Sequence, residues 1–135
     1  MDASPSARLV LPRSRRIQHR RDFMRARAEG RRVVQGCLIL NWFTLPAGSL
    51  SRVGVITNRK LGESVARSRA RRLLREAFRL RQRQLAQPID AVLVARASIN
   101  GRKLAEVDRD YASALKRAGL LREPAAPPAA SSSRP

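Results

Sequence analysis

The sequence is poor in the residues from which self-sufficient active sites are usually built. It contains one cysteine, Cys37, and one histidine, His19. A single thiol excludes an intramolecular disulfide framework and a cysteine-rich zinc site. Cys37 lies in an apolar run and reads as a small buried hydrophobe. His19, with no ligand partner nearby, reads as a surface or capping residue. Aromatic residues make up only 4% of the chain, so its core must be mostly aliphatic. No stretch approaches the roughly 20 apolar residues of a membrane span. The N-terminal segment MDASPSARLVLPRSRR has no long apolar region, so no secretory signal is expected and the expected location is cytoplasmic. Acids are scarce too, ten Asp and Glu against 29 Lys and Arg. Glu106, Asp108 and Asp110 fall close together but do not share one helical face. A solvated face that moderates the charge is the stronger expectation for them, and a metal site the weaker. There is no Ser/His/Asp order, and Gly30, Gly36, Gly48, Gly54 and Gly62 are too dispersed for a phosphate loop. No catalytic residue, metal ligand set or protein-bound cofactor is therefore expected.

What the chain has in excess is arginine. The formal net charge is +19, and 26 of the 29 basic residues are Arg. The guanidinium fork bonds phosphate bidentately and stacks on bases, so a polyanion is the expected partner. The charge concentrates in Ser64–Arg83, SVARSRARRLLREAFRLRQR, which holds eight arginines and one acid, Glu76. At helical periodicity Ala66, Ala70, Leu73, Leu74, Ala77 and Phe78 form a buried stripe. Arg69, Arg72, Arg75, Arg79 and Arg83 lie on the other side, with Arg71 beside them and Arg67 at the border. Like charges at i, i+4, such as Arg67/Arg71 and Arg71/Arg75, destabilise an isolated helix. Packing of the stripe and neutralisation of the outer face by nucleic acid remove that conflict. A membrane surface is also anionic, but this helix has no Trp and its one Phe belongs to the stripe. Sequence-specific DNA readout needs Asn or Gln on the exposed face, and neither occurs before Gln82.

At 135 residues the chain has room for one domain with a modest core. Residues 1–16 read as a basic flexible arm, 17–121 as an RNA-binding α/β domain and 122–135 as a disordered Pro/Ala/Ser tail. A first helix is expected from about Ile17, with Ile17, Phe23 and Met24 inward, Arg20, Arg21, Arg25 and Arg27 outward, and Gly30 as C-terminal cap. Strands follow over Val33–Val34 and Leu38–Leu45. In the longer one Leu38, Leu40 and Trp42 face one way and Ile39, Asn41 and Phe43 the other. Both faces are mostly apolar, which makes this strand central. Arg52–Asn58 is a β-branched strand in which Gly54 marks a bulge or a close approach. Arg59-Lys60-Leu61-Gly62 is a basic turn into the arginine helix, with Ser64 as its cap. Ile89–Ala95 is an apolar strand of a sheet interior. Lys103–Gly119 is a last helix burying Leu104, Val107, Tyr111, Ala114, Leu115 and Ala118. The order α-β-β-β-α-β-α makes a small α/β (α+β) sandwich with a four-stranded sheet. The helix between Arg52–Asn58 and Ile89–Ala95 is a crossover, so those strands are expected to be parallel.

The segment Arg52–Arg79, RVGVITNRKLGESVARSRARRLLREAFR, resembles the signature of the protein subunit of bacterial ribonuclease P. The likeness joins a strand, a basic turn with glycine, closely spaced arginines and the run Leu-Leu-Arg-Glu-Ala-Phe, and it extends over about Leu11–Leu121. It implies a sandwich with a left-handed βαβ crossover, against the usual right-handed rule. It implies that an RNA subunit with bound magnesium (Mg2+) cleaves precursor tRNA, while the protein supplies no catalytic residue. The implied partners are the ribonuclease P catalytic RNA, gripped by the arginine helix, and the 5′ leader of precursor tRNA, held between the first helix and the sheet. One protein per RNA and no membrane contact are expected.

Position by position, Arg67-Ser68-Arg69 occupies the family's Arg-Asn-Arg site, with Ser68 in place of Asn. The hydroxyl keeps a donor and an acceptor but not the amide fork. Arg71, Arg72 and Arg75 follow on the same helix, and Arg59, Lys60 and Gly62 match the basic turn. Phe23 matches an aromatic of the leader cleft. Arg27 and Asn41 stand at two further positions that tend to be aromatic, and Arg27 offers cation–π or guanidinium stacking there. A ribosomal RNA-binding protein of similar size and charge is the alternative, and the long composite motif favours ribonuclease P.

Overall fold

A computed structural model describes residues 13–122. The rest of the expected arm and tail lies outside the described residues. Four strands form one sheet in the order β1-β2-β4-β3: β1 (Arg31–Gln35), β2 (Leu38–Thr44), β3 (Arg52–Ile56) and β4 (Ile89–Ala95). β2 pairs antiparallel with β1 and β4, and β3 runs parallel to β4. The helices are α1 (Arg20–Glu29), α2 (Ser64–Arg81) and α3 (Leu104–Ala118).

Side-chain alternation along the strands makes the layers. Leu38, Leu40 and Trp42 of β2 enter the main core with Leu93 of β4, Leu74 and Phe78 of α2, and Val107, Tyr111 and Leu115 of α3. The other sheet face carries Phe43, Val92, Val94 and Ile56, which pack with Ile17, Phe23 and Ala26 beneath α1. The protein is thus an α+β sandwich with α1 on one face of the sheet and α2 and α3 on the other. Cys37 is fully buried, and burial, with the carboxylate of Asp110 second, pushes its thiol pKa up to about 12.

Several boundaries depart from the sequence expectation. The first helix starts at Arg20, because Ile17 instead donates its N–H to the Val53 carbonyl at 2.8 Å. The later start rotates the helix face: Asp22 and Ala26 are buried, and Met24 is 56% exposed. Arg25 turns inward instead of outward. Gly30 is the C-cap of α1, as expected, in extended backbone at φ −87° with its N–H donating to the Ala26 carbonyl. A Cβ at that position would strike the carbonyls of Ala26 and Trp42. β1 is longer than Val33–Val34, and β3 ends at Ile56. Glu63, not Ser64, stands at the N-cap of α2.

The acids of α3 are not a solvated face. Glu106 accepts from the Lys103 N–H and Asp110 from the Cys37 N–H, each at 2.9 Å. Asp108 receives both arms of Arg81, at 2.6 and 2.8 Å, which ties α2 to α3. Among the described residues, no helix is long and apolar enough to cross a membrane.

Candidate nucleic-acid interface

α2 turns Ala70, Leu74, Ala77 and Phe78 into the core, with Ala66 and Leu73 half-buried. That packing decides where its arginines go. Arg67, Arg71 and Arg75, spaced by four, form a ridge along one flank. Arg71 donates to Thr57 Oγ1 at 2.9 Å and to Ser68 Oγ at 3.1 Å. The Ser68 hydroxyl therefore aims the neighbouring guanidinium. Arg69 lies on the opposite flank and donates to the Arg102 carbonyl at 2.5 Å. Arg72 is exposed, and neither it nor Arg67 has a side-chain hydrogen bond or ion pair among the described residues. Arg79 is drawn back to Glu76 at 2.9 Å, away from the role of a free outer-face cation.

Ahead of α2, Arg59 and Lys60 are exposed on a 3-10 turn pinned by buried Leu61. Asn58 Oδ1 accepts from the Lys60 N–H at 2.9 Å. Gly62 follows at φ +125°, a conformation that favours glycine. Arg59, Lys60, Arg67 and Arg71 thus occupy one continuous stretch of chain running from the turn along the ridge.

The ridge ends in a cleft. Arg75 lines a cavity of about 290 Å³ with Arg13, Arg16, Gln18, Phe23 and Gly54. The lining includes no acid. Burial, then repulsion from Arg16 and Arg71, lowers the pKa of Arg75. The Phe23 ring lies on Gly54, where a Cβ would collide with it, so Gly54 marks a close approach. Arg27 is exposed one turn further along α1, and Asn41 is only 4% exposed on the α1 side of the sheet. Neither lines the cleft that holds Phe23. Arg13 and Arg16, assigned to the arm by sequence, are brought in because Arg16 bridges to Val53 and Arg15 Nε donates to the Ser51 carbonyl at 2.7 Å. The signal was Ile17, an apolar residue that closes the arginine run and is buried at the sheet edge.

Under α1 lies a second charged group that the sequence reading missed. Arg52 Nε and Nη2 bond the two oxygens of Asp90 at 2.8 and 2.6 Å. Asp90 is fully buried, and its hydrogen bonds are the main reason the pKa of Arg52 is raised. Arg25 Nη2 approaches Asp90 at 3.3 Å, and Asp22 approaches Arg52 at 3.5 Å. The available signal was one acid inside the otherwise apolar run IDAVLVA. Among the described residues, no group of three or more His, Cys, Asp or Glu is placed to hold a metal ion.

A flank of guanidiniums without an acid partner among the described residues, leading into an acid-free cleft with an aromatic floor, equips a protein to bind RNA. The family model for ribonuclease P matches residues 11–119, and the chain belongs to that family, as a protein component. It is 34% identical over 112 residues to the ribonuclease P protein component of Syntrophomonas wolfei, covering 83% of this chain and 93% of that one. The RNase P protein of Staphylococcus aureus has the same fold, with a TM-score of 0.71 at 22% identity over 80% of this chain and 98% of the other. That of Thermotoga maritima gives 0.66 at 25% identity, over 76% and 96%.

Proposed function

We propose that this protein works in the cytoplasm as one subunit, paired with one catalytic RNA, in the removal of 5′ leaders from precursor tRNA. The observation that carries the reading is the arginine ridge of α2 running without neutralising acids into the cleft at Phe23. On this reading Arg59, Lys60, Arg67, Arg69, Arg71 and Arg72 neutralise phosphates of the catalytic RNA and release counterions. Ser68 contributes by holding Arg71. Arg75 stands at the junction, where RNA and leader backbones both come within reach of the same charge. Phe23 offers a face for stacking an unpaired base, Arg27 extends that surface by one helical turn, and Asn41 lies beneath α1 on the sheet. Stacking and phosphate contacts tolerate sequence, so many leaders are accepted.

Bond cleavage falls to the RNA and its magnesium ions. Among the described residues no three acids gather to hold a metal, and Glu106, Asp108 and Asp110 are each committed to a protein donor. The test is reconstitution with the cognate catalytic RNA at low magnesium. Cleavage at the mature 5′ end is expected with protein and not without it. Cleavage by the protein unaided, or no stimulation at all, defeats the proposal. Phe23→Ala is expected to weaken binding of leader-bearing precursor more than that of mature tRNA.

A further inference from the structure

We infer that the ion cluster Asp22–Arg25–Arg52–Asp90 is a positioning device that sets where α1, and with it Phe23, sits over the sheet. Beyond Phe23 and Ala26, which pack on Phe43, Val92, Val94 and Ile56, α1 has little else to hold it. Its ten residues are too few for a stable isolated helix. Only Asp22 and Ala26 among them are buried. Half-buried Phe23 is the one large apolar side chain it lays on the sheet, since Met24 points outward. Contact of a ring with a glycine surface resists sliding weakly, whereas hydrogen bonds between charges fix both distance and direction.

The cluster has a tight half and a loose half. The tight half is the Arg52–Asp90 fork, made by two residues that are direct register partners on β3 and β4. The loose half comes from the helix, with Arg25 reaching Asp90 at 3.3 Å and Asp22 reaching Arg52 at 3.5 Å. The sheet therefore presents one acid and one base, and the helix docks its base on the acid and its acid on the base. Arg25 also lies over the Phe43 ring at 4.6 Å, while its buried Nε has no hydrogen-bond partner among the described residues. Phe23 falls between the two docking residues in sequence. Arg52 and Gly54, two residues apart on β3, share a strand face. One rigid strand thus carries both the anchor and the surface on which the ring rests. The role inferred for these pairs is to select a geometry, which is distinct from adding net stability.

The position of Phe23 is a property of the protein alone, and only its consequence for leaders rests on the proposed function. The full chain is used free and in the reconstituted ribonucleoprotein. In the free protein the ring current of Phe23 is expected to displace the Gly54 Hα resonances from their values in a folded Phe23→Leu reference, because the ring lies against Gly54. Asp22→Asn is expected to return them towards those reference values, and an unchanged displacement overturns the inference. Arg25→Lys, which keeps the charge and shortens the reach, is expected to displace them in the same direction and serves if Asp22→Asn does not fold.

In the ribonucleoprotein, Asp22→Asn is expected to reduce the preference for precursor over mature tRNA about fivefold, without weakening binding to the catalytic RNA. In a Phe23→Ala background it is expected to add nothing, and an equal loss in both backgrounds overturns the inference. If Phe23→Ala leaves the preference intact, the leader reading fails, and the Gly54 resonances alone decide the positioning role.

Discussion

α1 carries four arginines in ten residues and α2 seven in eighteen. In α1 the inward-facing one, Arg25, meets Asp90, an acid delivered by the sheet. In α2 acids reach only the C-terminal part, where Glu76 takes Arg79 and Asp108 takes Arg81. Arg67, Arg69, Arg71, Arg72 and Arg75 have no acid partner among the described residues. The same side chain acts as internal cement where the fold supplies a carboxylate and, on the proposed function, as an outward contact where it withholds one. The proposed RNA-facing surface is marked by charge without an acid partner among the described residues, and the number of arginines in a helix does not reveal it.

Three variants would break or sharpen that contrast. The largest effect is expected for Asp90→Ala, which leaves the half-buried Arg52 and Arg25 without their shared partner. Breaking a fully buried pair costs about 3–5 kcal/mol; solvent reaches both guanidiniums here, so about 3 kcal/mol is expected, still a large share of a stability of roughly 5–15 kcal/mol. Urea unfolding measures it, and a stability close to that of the parent would erase the distinction between the two helices. Arg67→Ala combined with Arg69→Ala should leave the unfolding midpoint nearly unchanged. Affinity for the catalytic RNA should fall about a hundredfold, with the log–log salt slope flatter by roughly two. Unchanged affinity and slope would take the assigned role from these residues.

The smallest effect belongs to Glu76→Gln, about 0.5 kcal/mol or less for an i, i+3 surface pair. The hydrogen bond from Arg79 holds the Glu76 carboxyl below its usual 4.5. Its contribution is therefore complete above that value and fades as the pH falls through the depressed one. Parent and variant should differ slightly in unfolding free energy at neutral pH and converge in acid.

Much of this arrangement could be read from residue order. The two-residue alternation in LILNWFT placed Trp42 opposite Asn41, and β2 is indeed internal to the sheet. The helical stripe of α2 named Ala70, Leu74, Ala77 and Phe78 correctly, because an eighteen-residue amphipathic pattern averages out local errors. α1 was less legible. It is short, and treating Ile17 as helical turned the whole wheel, exchanging Met24 for Asp22 on the inner face. The committed acids were hidden for a different reason. Asp90 meets Arg25 across 65 residues, and Arg81 meets Asp108 across 27, so local spacing carries no trace of either pairing. The cleft residues Arg13 and Arg16 depend likewise on Ile17 reaching Val53, a long-range pairing.

That pairing has one more consequence. β3 is an outer strand of the sheet, and Arg16 and Ile17 lie along its free rim. A bare rim invites a neighbouring molecule to zip on and extend the ladder. The residues that carry cations to the cleft also act as a selvedge, occupying that rim at Val53. Trimming the chain past Ile17 would leave the Val53 carbonyl unanswered and open that side to self-association.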